Sequence, residues 1–197
     1  MLLIFTNVFG EIGCFPESTL RFSKSDKSLQ SITKAELDLL IIRFKNSFDF
    51  GTKKLIVNNL WDNDLVDANA TRDEDLNIVI NINGGLVRHP KITRDAVLLV
   101  LCHELGHHLR REKKSFRGNT NVRGWSSAEG ESDYFAATKC LPKIFNEGSD
   151  VKNLDQEIDT INLKHAMTKC RDDMCARIAL AGKSLSDIFS SLKQSSV

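Results

Sequence analysis

Apolar and polar residues follow two different periods along the chain, and the change of period predicts where helices and strands lie. Between residues 37 and 44 the apolar positions recur three or four apart, which is typical of one face of a helix. Thr33 and Glu36 form a capping-box pattern just before this segment, so we expect the helix to begin there. Short runs rich in β-branched residues at 54–58 and 76–82 predict strands.

The middle of the chain contains a longer apolar segment. An unbroken apolar run at 96–101 follows Thr93, a candidate N-cap, and predicts a helix that is covered on most of its sides. Residues 126–140 predict a further helix, which we expect to stop at Pro142. These two helices carry most of the candidate chemistry described below.

The last part of the chain, 151–181, predicts one or two more helices, with Gly182 as a candidate C-cap and a short helix after it. One helix, then strands, then helices indicate an α+β domain with a small mixed sheet. A chain of 197 residues is long enough to bury a sizeable core. We therefore take residues 15–197 as a single domain and residues 1–14 as a separate first segment.

The first segment allows two interpretations that composition does not separate. Residues 1–9 are mostly apolar, but they lack the basic residues that begin a signal peptide, and no clean small-residue cleavage site follows them. The segment is therefore either the remnant of a secretory signal or a short first strand.

Five cysteines are many for a cytosolic protein of this size, and none of them forms a C-x-x-C pair. Disulfides in an exported protein, periplasmic or extracellular, are the better interpretation, with a cytoplasmic protein as the alternative. We expect Cys140 to pair with Cys170 or Cys175, and Cys14 to reach Cys102.

Charge excludes some classes of partner. The formal net charge is +1, without the strong basic excess that a nucleic-acid-binding protein needs. No apolar run approaches the roughly 20 residues that span a bilayer, so we expect no transmembrane segment. A basic stretch at 110–123 is either a solvated face or a surface that favours acidic substrates or an anionic cell-wall or membrane surface.

The apolar helix ends in His103-Glu104-Leu105-Gly106-His107, an H-E-x-x-H pattern. Because side chains four apart lie on the same face of a helix, the two imidazoles lie side by side and suit one tetrahedral Zn²⁺. Glu104 lies about 100° around the helix and can reach a water at the metal without being a ligand. This arrangement predicts a zinc hydrolase.

Two histidines leave a catalytic zinc one protein ligand short. Glu129 and Asp133 are four apart on the next predicted helix, so one can serve as the ligand and the other can accept the N–H of a ligating histidine. Alternatively, Ser126 and Glu129 form a capping box, and Glu129 then bonds only to backbone. The candidates considered for the third ligand are Glu129, Glu131, Asp133, His108 and His165.

The H-E-x-x-H motif, followed 22 positions later by Glu129-Gly-Glu-Ser-Asp133, resembles the gluzincin pattern of zinc metallopeptidases. Residues 76–140 as a whole are similar to small exported bacterial proteins described as candidate metallopeptidases. More distantly, the Glu-x-x-Ser-Asp form resembles a family of membrane-embedded peptidases, whose membrane helices this chain lacks.

The resemblance implies a zincin-like fold and a set of roles. His103, His107 and Glu129 would be the ligands of one Zn²⁺, Glu104 the general base, and Asp133 the residue that orients His103. A peptide or protein would be the substrate. Independently of the resemblance, we expect the chain to act as a monomer. Tyr134, the sole tyrosine, directly follows Asp133 on this predicted helix, and we expect it to belong to the core.

The resemblance also implies where a substrate would lie. In zincins the strand before the motif helix forms the edge of the sheet, and an extended peptide adds to it as another strand. This predicts substrate contacts from Asn81, Asn83, Gly84 and Gly85.

Two other functions fit parts of the sequence. One is a cytosolic regulatory protease that also carries H-E-x-x-H, although no DNA-binding helix-turn-helix is evident here. The other is a non-catalytic binding protein stabilised by zinc, although structural zinc sites are usually closed by four protein ligands and richer in cysteine. The glutamate of the motif favours catalysis.

Overall fold

A small mixed sheet and the helices packed against it give the protein an α+β fold, as predicted. The computed structural model describes residues 12–13, 20–25, 32–109, 126–147 and 160–194, without the side chains of 12–13, 160–163 and 192–194. The strands in these ranges are β1 (Ile12–Gly13), β2 (Leu55–Leu60), β3 (Ala68–Arg72) and β4 (Ile78–Asn83). The helices are α1 (Lys34–Asn46), α2 (Gly84–Val87), α3 (Arg94–His108), α4 (Glu129–Phe135), α5 (Leu141–Glu147), α6 (Thr160–Lys169) and α7 (Asp173–Gln194).

The strand order is β1-β3-β4-β2. β4 pairs in parallel with β2 and antiparallel with β3, and β1 pairs antiparallel with the outer side of β3. The prediction that the strand before the motif helix forms the sheet edge is therefore wrong. Ile78, Val79 and Ile80 are all buried, and burial on both faces is typical of an interior strand.

The core lies between one face of the sheet and α3. Ile78, Ile80 and Ile82 alternate along β4 onto this face, where α3 packs against β3 and β4. α3 begins as predicted, since the side chain of Thr93 accepts a hydrogen bond from the Ala96 amide. Nearly every side of α3 is covered, because α1, α4 and α7 also contact it.

The capping box at the start of α1 is also confirmed, and it extends to α3. The Glu36 carboxylate accepts a hydrogen bond from the Thr33 amide and forms an ion pair with Arg94 at the start of α3. The hydrogen bond from Arg94, followed by those from Thr33, lowers the pKa of Glu36 to about 2. One carboxylate therefore caps its own helix and ties it to the next.

A buried ion pair fixes α7 against the start of α3. The Arg177 guanidinium donates two hydrogen bonds to the Asp95 carboxylate, one of them over 2.7 Å, and both side chains are buried. The same guanidinium lies 3.7 Å from the centroid of the Phe145 ring on α5. The ion pair and the aromatic contact together compensate for the removal of these two charges from water.

Two predicted helix ends are wrong. The helix that begins at α4 does not stop at Pro142, because a π-helical turn at Ala136–Cys140 leads directly into α5. The wider turn already alters the backbone hydrogen-bond ladder beside the proline, which has no amide hydrogen to donate. Gly182 is not a C-cap but lies inside the 22-residue α7, whose buried face continues past it through Leu185 and Ile188.

The predicted disulfide pairing is also wrong. Cys102 is bonded to Cys140, so neither the pairing of Cys140 with the C-terminal cysteines nor that of Cys102 with Cys14 is found. Cys102 lies on α3 and Cys140 ends the π-helical turn that packs on it, with Cα atoms 5.7 Å apart. Cys170 and Cys175 bond to each other across the short link between α6 and α7.

Some predictions concern residues outside the described ranges. They are the nature of residues 1–11, the bonding partner of Cys14 and the surface formed by the basic stretch at 110–123. Among the helices that the structure describes, none is long and apolar enough to cross a membrane.

Candidate metal centre

Two ligating atoms of the predicted metal site come from one face of α3. The Nε2 atoms of His103 and His107 lie 3.1 Å apart, and both side chains are buried. Glu129, the first residue of α4, brings its carboxylate to them, with 3.1 Å between Oε2 and His103 Nε2 and 3.7 Å between Oε1 and His107 Nε2. The three residues form a group that could hold a metal ion.

The spacing of these atoms matches a single small cation. Ligands at roughly 2.0–2.2 Å from a tetrahedral ion lie roughly 3.3–3.6 Å apart. The observed separations, each taken to the Glu129 oxygen given above, are 3.1–3.7 Å. Two imidazole nitrogens and one carboxylate oxygen leave a fourth position for another molecule. Three protein ligands with one open position are typical of catalytic rather than structural zinc sites.

Glu129 is free to serve as a ligand because it does not cap its own helix. The N-cap of α4 is Ala128, which makes no side-chain capping hydrogen bond, so the capping box with Ser126 as N-cap is not formed. The Glu129 side chain is 59% exposed, so the open side of the group faces solvent.

Asp133 contacts the first histidine, one turn after Glu129. His103 Nδ1 lies 2.8 Å from Asp133 Oδ1. With the carboxylate ionised, Nδ1 carries the hydrogen and donates it, which leaves the lone pair of Nε2 directed towards the other ligands. This is the partner that the gluzincin resemblance implied for His103.

The second histidine has a different set of partners. His107 Nδ1 lies 3.0 Å from the Ser132 hydroxyl, 3.1 Å from the Ser127 carbonyl oxygen and 3.3 Å from the Ser126 hydroxyl. Burial, and next the neighbouring His103, lower the pKa of His107. The imidazole is therefore neutral at physiological pH, which is the form that binds metal.

Glu104 is fully buried, with an exposed fraction of 0%. It follows His103 directly on α3, so its side chain points about 100° away from the ligand face. It is adjacent in sequence to a ligand without being part of the ligand group, as the H-E-x-x-H motif predicts.

The residues predicted to contact substrate have other partners. The Asn81 side chain accepts a hydrogen bond from Asn58 on β2 and donates one to Asn69 on β3, forming a row of amides across the sheet. Because β4 is not an edge strand, no peptide can add to it without displacing β2 or β3. The prediction that Asn81 contacts substrate was based on β4 being an edge strand, so it no longer follows.

The other three predicted contacts lie at the end of β4. Asn83 is buried, and its amide donates to the Asp67 carbonyl. Gly84 and Gly85 begin the short helix α2. A Cβ on either one would lie within 2.0 Å of a carbonyl oxygen, that of Trp61 or Asp64 respectively. These glycines allow close backbone packing.

The remaining histidines lie outside the ligand group. His108 is buried and its Nε2 lies 3.4 Å from the Val79 carbonyl oxygen on β4, to which it can donate. His165 is exposed on α6. His89 is buried and its ring meets the Phe22 ring edge-on, with centroids 4.7 Å apart.

Two further side chains of α4 point outward. Tyr134 is 67% exposed, so it does not belong to the core. Glu131 is exposed and is not part of the group that could hold a metal ion.

Sequence reasoning missed the serine partners of His107. Sequence patterns that predict metal ligands do not include serine hydroxyls or backbone carbonyls. Nothing in the sequence therefore indicated Ser126 or Ser127 as partners of His107. Ser132 could have been found from the sequence, because a residue three positions after Glu129 lies on the same face of a helix.

No protein-family model, curated protein or solved structure matches this chain at a significant level.

Proposed function

We propose that this protein is a zinc-dependent metallopeptidase with a zincin-like domain, in which His103, His107 and Glu129 hold one Zn²⁺. The observation that carries this proposal is the meeting of these three side chains at a helix that also carries the buried Glu104. A glutamate next to a zinc ligand and outside the ligand set is the recurrent arrangement of H-E-x-x-H hydrolases. The gluzincin resemblance of residues 103–133 supports the same assignment.

The donor set favours zinc among the common divalent ions. Imidazole nitrogens suit zinc and the later transition metals, whereas calcium and magnesium prefer oxygen-only sites with more ligands. Zn²⁺ bound here would lower the pKa of a water in the fourth position and polarise the carbonyl of the substrate.

Glu104 moves the proton in the proposed reaction. It accepts a proton from the attacking water, whose oxygen forms a bond to the carbonyl carbon of the peptide. It then delivers this proton to the nitrogen as the carbon–nitrogen bond breaks, so the products are a carboxylic acid and an amine. Asp133 holds His103 in the tautomer that leaves Nε2 free throughout.

The two disulfides support an exported location, since intracellular thiols are normally kept reduced. A monomer acting on extended peptides remains our proposal. The fold offers no edge at β4 for such a peptide, so we propose that it binds across the open side of the ligand group, where Glu129 is exposed.

The decisive experiment compares metal content and hydrolysis in Glu104→Gln and the parent protein. We expect about one zinc per chain in both, and a loss of peptide hydrolysis of about 10²–10⁴-fold in the variant. Glu131→Gln, at an exposed glutamate of α4, is the matched control and should retain full activity.

Two results would overturn the proposal. Full turnover in Glu104→Gln would exclude the assigned general base. A parent protein that binds zinc tightly but cleaves no member of a diverse peptide library would instead favour a zinc-stabilised binding protein.

A further inference from the structure

The two ligating histidines are held by unlike groups. His103 donates to the carboxylate of Asp133, whose side chain is 72% exposed. Within the described part of the chain, the partners of His107 Nδ1 are uncharged oxygens, and one of them, the hydroxyl of Ser132, is fully buried. One imidazole therefore has a charged, partly solvated partner and the other a neutral, buried one.

A backbone carbonyl determines the tautomer of His107. The Ser127 carbonyl oxygen can only accept hydrogen bonds, and it lies 3.1 Å from Nδ1, so Nδ1 carries the hydrogen. The Ser126 hydroxyl donates to the same carbonyl over 3.0 Å. Nε2 of His107 then retains its lone pair, which lies towards His103 and Glu129.

The Ser132 hydroxyl is a second acceptor for the same Nδ1–H, from a different direction. Its oxygen lies 3.0 Å from Nδ1, and Ser132 belongs to α4, whereas Ser126 and Ser127 precede that helix. Two acceptors on separate segments restrict rotation of the ring more than one does. Both the orientation of His107 and its distance from Glu129 are thereby coupled to α4.

We infer that Ser132 is a positioning residue that holds the His107 imidazole in the plane required by the metal. α4 then provides three groups to the site. Glu129 is a ligand, Asp133 orients His103, and Ser132 orients His107. This inference rests on the metal centre of the proposed function and does not depend on the substrate. Outer partners of metal ligands typically change metal affinity by about 10–100-fold when removed.

Ser132→Ala tests this role cleanly. Alanine retains the Cβ, which lies against Gly106 of α3, and removes only the hydroxyl. We expect zinc to bind about tenfold more weakly in competition with a chromophoric chelator. The visible absorption of the Co²⁺-loaded variant should also change, because this absorption depends on how the ligands are arranged around the ion. A rotated His107 ring would alter that arrangement.

Ser190→Ala is the matched control, since Ser190 is exposed on α7 and its hydroxyl donates to the Ser186 carbonyl of the same helix. It should bind zinc and absorb as the parent protein does. Thermal unfolding of the metal-free proteins separates positioning from folding, and metal-free Ser132→Ala should melt within a few degrees of the parent.

The outcomes distinguish this inference from the proposed function. If the parent binds zinc and Ser132→Ala has the same affinity and Co²⁺ spectrum, Ser132 does not position His107, whatever the enzyme hydrolyses. A metal-free variant that is much less stable, with unchanged zinc affinity, would assign Ser132 a purely structural role. If the parent itself binds no zinc, the metal centre fails first.

Discussion

Gly106 and Ser132 lie in direct backbone contact where α3 meets α4. A Cβ placed on Gly106 would lie 2.8 Å from Ser132 Cα and 3.0 Å from its Cβ, closer than such atoms normally approach. Gly106 is one of the two variable positions of the H-E-x-x-H motif, and it lies between the ligands of α3. The absence of its side chain allows α4 to bring Glu129 and Asp133 to the histidines.

Gly106→Ala should therefore separate the two helices. We expect a loss of about 1–3 kcal/mol in the free energy of unfolding, the usual cost of overpacking a core. Zinc affinity should fall as well, because Glu129 moves with α4. Both quantities are measurable by chemical denaturation and chelator competition on the same preparation.

Gly182→Ala is the control for this substitution. A Cβ on Gly182, inside α7, meets no atom within 4 Å, so alanine should stabilise the helix by about 0.5–1 kcal/mol. Unchanged stability in Gly106→Ala would show that α4 can shift without cost.

Glu129→Ala removes the ligand from α4 and should abolish stoichiometric zinc binding at micromolar protein. Glu131→Ala changes an exposed carboxylate on the same helix and should bind zinc as the parent does. Metal analysis after gel filtration measures both. Full zinc content in Glu129→Ala would remove Glu129 from the ligand set and leave only the histidine pair.

Replacing the cysteines in pairs tests what each disulfide contributes. Cys102 directly precedes ligand His103, and its bond to Cys140 spans 38 residues. Cys102→Ala with Cys140→Ala should lower the free energy of unfolding by about 4 kcal/mol from chain entropy alone. It should also weaken zinc binding, because the bond ties α3 to the π-helical turn that continues α4.

The second disulfide provides an internal comparison. The Cys170–Cys175 bond spans 5 residues and lies between α6 and α7, so its removal should cost about 2 kcal/mol. Zinc affinity should be retained in that variant. Equal weakening by both double substitutions would indicate a general loss of stability rather than an effect on the ligand helices.

His89 should make the protein sensitive to acid. Burial, and next the charge of Lys91, lower the pKa of His89 to about 4, against about 6.5 for an unperturbed histidine. The unfolded chain therefore binds a proton more readily than the folded chain between these values. The contribution of His89 to the free energy of unfolding is therefore fully present above about pH 6.5. It is lost as the pH falls towards 4, by about 3 kcal/mol in total.

His89→Gln should remove this contribution. The Nδ1 of His89 accepts a hydrogen bond from the Lys91 amide, a role that a glutamine oxygen can take over. Urea midpoints measured between pH 7 and pH 4 should fall less steeply in the variant than in the parent. His165→Gln, at an exposed histidine, should leave the parent's pH dependence unchanged.

The sequence was sufficient to predict those structural features that depend on residues close together in the chain. The capping box at Thr33, the N-cap at Thr93 and the helical spacing of His103 and His107 each depend on residues within one or two turns. The α+β class followed from the order of such segments. Helical spacing also placed Glu129 and Asp133 on one face of the next helix as candidates, whereas their separate roles came from the gluzincin resemblance.

Features that depend on the packing of distant segments were not predictable in this way. The interior position of β4 results from pairing with both β2 and β3, which the composition of β4 does not specify. The bond between Cys102 and Cys140 requires two helices to face each other. Ser127 contributes a backbone carbonyl, which any residue type provides.

The Cys102–Cys140 bond has a further consequence for chain integrity. It joins α3 to the segment that follows α4, so every peptide bond between the second and third ligands lies inside the covalent ring. A single proteolytic cut between residues 109 and 126 would therefore yield two fragments that remain linked. They would migrate as one species until reduced, and they would still carry all three ligands, two on one fragment and one on the other.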